Sequence, residues 1–311
     1  MSLAFIHGIN IMMVINSLSK WFCKTLYRTT HSQQYHHNKN LWPFFKVVRN
    51  ESGGIDTVYF KNKQINTAVI DKQQRKKPLL IMATGPSINH IDIRFFNESF
   101  DYFGVNGAFS MEHIDFKWYT ITDRNFVLFR LPLVKALVAR DDLTIFCPYT
   151  TLETIFSNIE WRNIRCRFKI FEAISGAHVY KFLGAKENLI INDEHFHWLA
   201  GAGFSDNIDH GVFDYGTVVY PALQIGCALG YREIYIAGLD MNNFEQPRFY
   251  ETAENKLGTR LDRDFEQIRH SFYAAQSYCE LNNIRVVNLS PESAIDAFPK
   301  LSWMETDKQA S

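Results

Sequence analysis

Short apolar runs closed by polar turns dominate the chain from residue 78 onward. Pro78-Leu79-Leu80-Ile81-Met82-Ala83 is continuously apolar and ends in Thr84-Gly85-Pro86-Ser87. That pattern predicts a strand buried on both faces, entering a tight loop. A short helix is expected over 91–96, and strands over 102–105, 118–122 and 143–146, with a helix over 126–138 between the last two. After Gly216 the pattern predicts a helix over 217–229, a strand over 233–237, a long helix over 264–282 and a last strand over 284–289. The stretch 149–210 mixes polar and aromatic patches without a clear period and is expected to form a lid or a binding insertion. Strand and helix alternate, so the fold expected is α/β: a Rossmann-like, mostly parallel sheet with helices on both faces, in a single domain over 51–311.

Polar or small residues recur where the expected strands end: Gly85, Pro86 and Ser87, then Asn106, Asp123, Gly238 and Asp240, and Ser290. Open α/β sheets bind ligands in the crevice beyond those carboxyl ends. One such residue alone reads as a turn former or helix cap. Five strand ends together point to a shared site.

Apolar residues make up 46% of the 311 and charged residues 21%, which excludes a disordered chain. Lysine plus arginine and aspartate plus glutamate number 33 each, so the net charge is zero. The balance is uneven along the chain. Residues 1–50 carry Lys20, Lys24, Arg28, Lys39, Lys46 and Arg49 and no acid, against a mildly acidic remainder. A globally basic nucleic-acid binder is disfavoured, and a basic arm on a neutral body is what needs a purpose. Five scattered cysteines without a CxxC pair read as a reducing compartment, with neither a disulfide framework nor a zinc cage.

Within the arm, the apolar run 3–15 is too short to span a bilayer, which takes about 20 apolar residues. It also lacks a signal peptide's basic start and cleavage site. Lys20, Lys24 and Arg28 recur every four residues and share one helix face, with Trp21, Phe22 and Leu26 spread over the others. Such a helix suits an anionic membrane surface or packs on the domain with its lysines in solvent. Residues 31–40 read as a polar linker, so the arm and linker are expected to fill 1–50.

Several constellations could carry chemistry. Strand–Gly85-Pro86-Ser87–helix is a cradle for phosphate or ribose, although it lacks the Walker lysine and the GxGxxG pattern. Gly216 and Thr217 open a helix whose N–H groups can face an anion or simply be capped. Arg248-Phe249-Tyr250 offers a guanidinium and a phenol that can neutralise a departing phosphate, or a surface ion pair. In Asp262-Arg263-Asp264, a DxD-like pair could hold a divalent metal. Capping by Asp262 is the favoured reading, with Asp264 kept as a general base. His195-Phe196-His197 beside Asp193 and Glu194 lacks a third well-spaced metal ligand.

Taken in order, Asn106-Gly107, Thr122-Asp123-Arg124, Gly203-Phe204, Thr217, Ala222 to Ile225, Gly238-Leu239-Asp240, Arg248-Phe249-Tyr250 and Arg263-Asp264 resemble the WaaZ-type Kdo transferases of the lipopolysaccharide core. The resemblance runs over roughly residues 78–303. Gly85-Pro86-Ser87, Ala228 to Tyr231 and Gly238 to Asp240 are also similar to bacterial CMP-sialic acid sialyltransferases of the Campylobacter type. Both groups use a CMP-activated keto-sugar acid. The resemblance therefore implies a membrane-peripheral glycosyltransferase at the cytoplasmic face of the bacterial inner membrane, with CMP-Kdo as donor and lipopolysaccharide core as acceptor. It implies a CMP site from the Gly85 loop, Asn106, Asp123 and Thr217, a phosphate clamp from Tyr250 and Arg248, and no metal. The histidine base of the sialyltransferases has no counterpart in Arg263-Asp264-Phe265-Glu266, which counts against sialic acid and makes Asp264 the first choice of base. The rival readings are a sialyltransferase on the same scaffold and a catalytically idle nucleotide-sugar-binding protein.

Overall fold

The computed structural model describes residues 19–305. The apolar run 3–15 lies outside the described residues.

Seven strands form the main sheet: β1 (Leu79–Met82), β2 (Asp101–Val105), β3 (Phe116–Thr120), β4 (Thr144–Pro148), β5 (Arg167–Phe171), β6 (Glu233–Ala237) and β7 (Arg285–Asn288). Their spatial order is β7-β6-β1-β2-β3-β4-β5, and every neighbouring pair is parallel. The chain moves outward from β1 to β5, then crosses back to lay β6 against the other side of β1. Strand order thus reverses between β1 and β6, the place where open α/β sheets bind ligands.

Alternation along the strands supplies two cores. Leu80, Met82, Tyr119 and Ile145 face one layer, with Val134 and Leu137 of α3 (Leu131–Val138) and Leu152 and Ile155 of α4 (Tyr149–Asn158). Leu79, Ile81, Phe103 and Ile236 face the other, with Leu223 of α5 (Val219–Ala228) and Phe272 of α6 (Leu261–Leu281). All ten residues of α5 are buried, so it is an interior helix without a polar face.

Several local expectations are corrected. The helix expected over 126–138 is two, α2 (Arg124–Phe129) and α3, broken at Arg130. Pro132 has no N–H for an i−4 bond, and its ring crowds the preceding turn. The helix expected over 91–96 is two short 3-10 turns, Pro86–His90 and Ile93–Phe95. Residues 31–40 are not a free linker: they contain a 3-10 helix, Gln33–Asn38, and the fully buried Asn38 donates to Gly184 O at 2.7 Å and accepts from Leu183 N–H at 3.0 Å. Beyond it, strand Phe45–Arg49 pairs antiparallel with Ile55–Phe60, so the boundary expected at residue 50 falls inside a hairpin. Arg49 fixes that hairpin to the sheet by an ion pair of 2.6 Å to the buried Glu172.

Helix α1, residues 19–30, packs Tyr27 into the body and leaves Trp21 and Phe22 65% and 61% exposed. Lys20 and Lys24 turn toward Lys39, Arg124 and Glu153 around a small pocket of about 90 Å³. The stretch 149–210 divides: its first part builds α4 and β5, and the remainder forms small sheets, including the hairpin Phe196–Leu199 with Ala202–Ser205 against α6.

Candidate functional site

A cavity of about 540 Å³ opens at the strand-order reversal. Its wall takes Thr84 and Gly85 after β1, Asn106 after β2 and Asp123 after β3. Gly238 and Asp240 after β6, Gly216 and Thr217 before α5, and Asp264 from the first turn of α6 complete that side. The irregular segment 241–260 crosses the mouth and contributes Arg248 and Lys256. Of the residues expected to bind substrate or act on it, Gly85, Pro86, Asn106, Asp123, Gly216, Thr217, Gly238, Asp240, Arg248 and Asp264 share this wall.

The loops after β1, β6 and β7 are tied by one polar knot. Ser87 N–H donates to Asp240 Oδ2 at 2.9 Å, its hydroxyl donates to Asp240 Oδ1, and Ser87 Oγ meets Ser290 Oγ at 2.8 Å. Gly85 must be glycine here, because a Cβ would stand 2.4 Å from Asp240 Oδ2 and 2.5 Å from Gly238 O. Asp240 is thus a brace between loops. Ser87 and Ser290 lie off the main cavity, on a neighbouring one of about 400 Å³ that is also lined by Trp303.

Asn106 has φ +44° and gives its carbonyl oxygen to the Tyr119 hydroxyl. Its side-chain Oδ1 is buried without a hydrogen-bond partner. An unsatisfied buried acceptor costs about 1–3 kcal/mol.

Tyr250 does not reach the cavity wall. Its ring fills the space beside Gly107 with the Arg130 guanidinium 5.8 Å from its centroid. Burial pushes its hydroxyl up to about 12, so the phenol stays neutral. Arg248 reaches the wall through a fixed partner: its guanidinium donates to both oxygens of Glu251 at 3.0 and 3.2 Å. The Glu251 side chain is fully buried and also receives Arg130 at 3.2 Å and Leu257 N–H at 3.3 Å. Lys256 closes the same segment on itself by donating to Phe244 O and Glu245 O at 3.1 and 2.7 Å.

At α6 the cap expected at Asp262 is corrected. The N-cap position is Arg260, without a side-chain cap bond, and Asp262 lies exposed inside the first turn. Thr259 Oγ1 accepts from Leu261 N–H at 3.2 Å instead. Asp264 Oδ2 lies 3.4 Å from where a Cβ on Gly216 would be. Both of its oxygens are held by Arg263, at 2.8 and 3.2 Å, and this bond holds its carboxyl below the usual carboxylate range. Helix α5 begins at Val219, two residues after the expected start, which leaves Thr217 buried in the wall ahead of it.

Two functional candidates escaped sequence reasoning. Glu251 directly follows Arg248-Phe249-Tyr250, where a charge partner for Arg248 was to be sought. Asp214 follows a strand of only two residues, Val212–Phe213, and lines the cavity two residues before Gly216.

His195 and His210 each bond a carboxylate, Asp206 and Asp193, at 3.0 Å. Among the described residues, no group of three or more His, Cys, Asp or Glu side chains could hold a metal ion, and no helix is long and apolar enough to cross a membrane.

Two solved structures are similar to parts of the chain. The sialyltransferase CstII from Campylobacter jejuni, in complex with cytidine-5'-monophosphate, is 13% identical over 74% of this chain and 86% of its own, with a TM-score of 0.41. The sialyltransferase CST-II in complex with a trisaccharide acceptor and CMP is 16% identical over 73% of this chain and 86% of its own, with a TM-score of 0.38. No curated protein matches the chain. Residues 59–302, which contain the whole cavity wall and all seven strands, match the family of 3-deoxy-D-manno-octulosonic acid transferase WaaZ, and the chain belongs to that family of glycosyltransferases.

Proposed function

We propose that the chain transfers Kdo from CMP-Kdo to the inner core of lipopolysaccharide. Family membership supports the donor and the acceptor. The observation that carries the nucleotide is Asn106: its buried, unpartnered Oδ1 lies in the wall of a ligand-sized cavity and calls for a donor. The amino group of cytosine and the ribose hydroxyls of CMP are such donors.

In this reading the Gly85-Pro86 loop, Asn106, Asp123, Gly216, Thr217 and Gly238 surround the CMP moiety. Asp240, Ser87 and Ser290 hold the loops that do so. Arg248 faces the phosphate as it leaves, and the hydroxyl of Tyr250 is the second donor to it. CMP leaves as a phosphate monoester, so cationic and hydroxyl donors suffice and no metal is required. The exposed Trp21 and Phe22 of α1 support a peripheral position at the cytoplasmic face of the inner membrane. The small sheets between residues 173 and 213 are the part of the former 149–210 stretch available to position the acceptor.

The test is a donor screen with purified protein and extracted core lipid. Transfer from CMP-Kdo is expected. Transfer only from CMP-sialic acid would assign the sialyltransferase activity, and CMP binding without turnover of any donor would leave a nucleotide-sugar-binding protein.

A further inference from the structure

We infer that Asp214, and not Asp264, takes the proton from the acceptor hydroxyl. This rests on the transferase reading above and extends it to a residue outside the expected set.

Four carboxylates line the cavity: Asp123, Asp214, Asp240 and Asp264. Two of them have both oxygens bonded, and a third, Asp123, is exposed. Asp123 Oδ1 accepts from Asn125 N–H at 2.8 Å as the N-cap of α2. Both oxygens of Asp240 are bonded to Ser87. Both oxygens of Asp264 are bonded to Arg263. A carboxylate that must accept a proton during the reaction cannot have both oxygens occupied by a permanent cation. Glu266 and His270, the other candidates near the start of α6, are exposed and off the cavity wall, and Glu266 pairs with Arg269 at 2.7 Å.

Asp214 shares the single backbone contact of Asp123 but is partly buried, and unlike Asp240 and Asp264 it does not have both oxygens bonded. Its Oδ1 accepts from Gly216 N–H at 2.9 Å, which fixes the side chain, and among the described residues Oδ2 accepts no hydrogen bond. Among the described residues no lysine or arginine pairs with it, whereas Asp123 adds negative charge nearby. Burial of the carboxyl, reinforced by Asp123, raises its pKa above the usual carboxylate range, although the Gly216 N–H pulls the other way. The further charges around it are Asp264, which meets the opposite side of Gly216 while held by Arg263, and Arg248, Lys256 and Arg260 across the cavity. A base whose pKa lies closer to neutrality is the stronger proton acceptor.

The step balances. The acceptor oxygen forms a bond to the anomeric carbon of the donor sugar as its O–H proton moves to Asp214 Oδ2. The bond from that carbon to the phosphate oxygen breaks, and its electron pair leaves with CMP.

Asp214→Asn keeps the acceptor oxygen for Gly216 N–H and removes only the proton acceptance. Transfer is expected to fall about 10²–10⁴-fold, with CMP affinity unchanged. Wild-type kcat/KM should show an acid limb above the usual aspartate range, lost in Asp214→Asn and kept in Asp264→Asn. A purely structural aspartate would behave otherwise on stability. A folded-state pKa above the unfolded one means the native state binds more protons between the two values, so stability declines as pH rises through that window. Asp214→Asn should therefore melt no lower than wild type at neutral pH while losing turnover. Near-wild-type transfer by Asp214→Asn, an unchanged acid limb, or loss of the limb in Asp264→Asn would overturn the assignment. Absence of transfer in the wild type with CMP-Kdo would instead overturn the reading on which it rests.

Discussion

Tyr250 stands where a side chain at position 107 would have to go. A Cβ on Gly107 would come within 2.0 Å of the Tyr250 ring, and Phe249 N–H donates to Thr84 O at 3.3 Å, so the segment over the cavity is pinned at two points to the loops after β1 and β2. Gly107→Ala is expected to push the ring aside and unseat residues 248–250. Overpacking of this kind costs about 1–3 kcal/mol. Thermal melting should show a modest loss of stability and kinetics a large loss of transfer, and full activity in a stably folded Gly107→Ala protein would detach this contact from function.

The hydroxyl of Tyr250 is a separate question from its ring. Because burial pushes its pKa up to about 12, it meets the phosphate as a neutral hydroxyl that can donate a hydrogen bond, not as a phenolate. Tyr250→Phe keeps the packing on Gly107. A contact made only as charge develops on the phosphate should cost about 10²–10³ in kcat when removed, with little change in donor affinity. Steady-state kinetics with CMP-Kdo decides, and unchanged kcat removes Tyr250 from the chemistry.

Glu251 is where stability and site geometry meet. Its carboxylate is completely buried between Arg130 and Arg248, whose side chains keep 19% and 25% of their exposure. Glu251→Gln leaves two guanidiniums without their counter-charge. Breaking a buried pair costs about 3–5 kcal/mol, and partial solvation of both arginines places the expected loss at the low end of that range. Urea unfolding measures it, and a variant as stable as wild type would show that solvent already screens the cluster.

The strands that frame the site were legible because they are runs of apolar and aromatic residues, as in Leu79–Met82 and in Glu233–Ala237 after its opening glutamate. Strand Arg167–Phe171 was not, because Lys169 interrupts it, and that lysine is buried by an ion pair of 2.6 Å to Asp209 that no local pattern announces. The rule that polar residues at strand ends line the crevice located Asn106, Asp123 and Gly238, which the structure brings together. It also selected Ser87 and Ser290, whose hydroxyls are spent on each other and on Asp240. Tyr250 shows the reverse difficulty: its seat on Gly107 depends on how a long irregular segment folds back, and hydrophobic periodicity carries no information about that.

The disposition of Asp262 and Asp264 supports the proposal that transfer needs no metal. One is exposed and off the cavity wall, and the other gives both oxygens to Arg263, so the pair does not converge on a shared point as a DxD ligand set must. EDTA is expected to leave transfer intact. Activity lost to EDTA and restored by magnesium or manganese would return these aspartates to a ligand role.

The disposition of α1 changes what a membrane experiment should find. From the sequence, Lys20, Lys24 and Arg28 would drive binding by charge. In the structure Lys20 and Lys24 line a small pocket together with Glu153 and Arg124, and Trp21, Phe22 and Leu26 are exposed apolar side chains of the same helix. Removing residues 1–40 is therefore a poor test, since it also deletes Asn38 and its bonds to the 183–184 turn. Trp21→Ser with Phe22→Ser changes only exposed side chains. Burying a large apolar side chain contributes about 1.5–3 kcal/mol, so the double variant should lose at least tenfold in affinity for anionic liposomes while CMP binding stays unchanged. High salt should weaken wild-type binding only in part, because the apolar contribution is unscreened while the electrostatic one is not. Liposome sedimentation across a salt series reads both effects. Undiminished sedimentation of the double variant would mean that this helix face does not meet the bilayer.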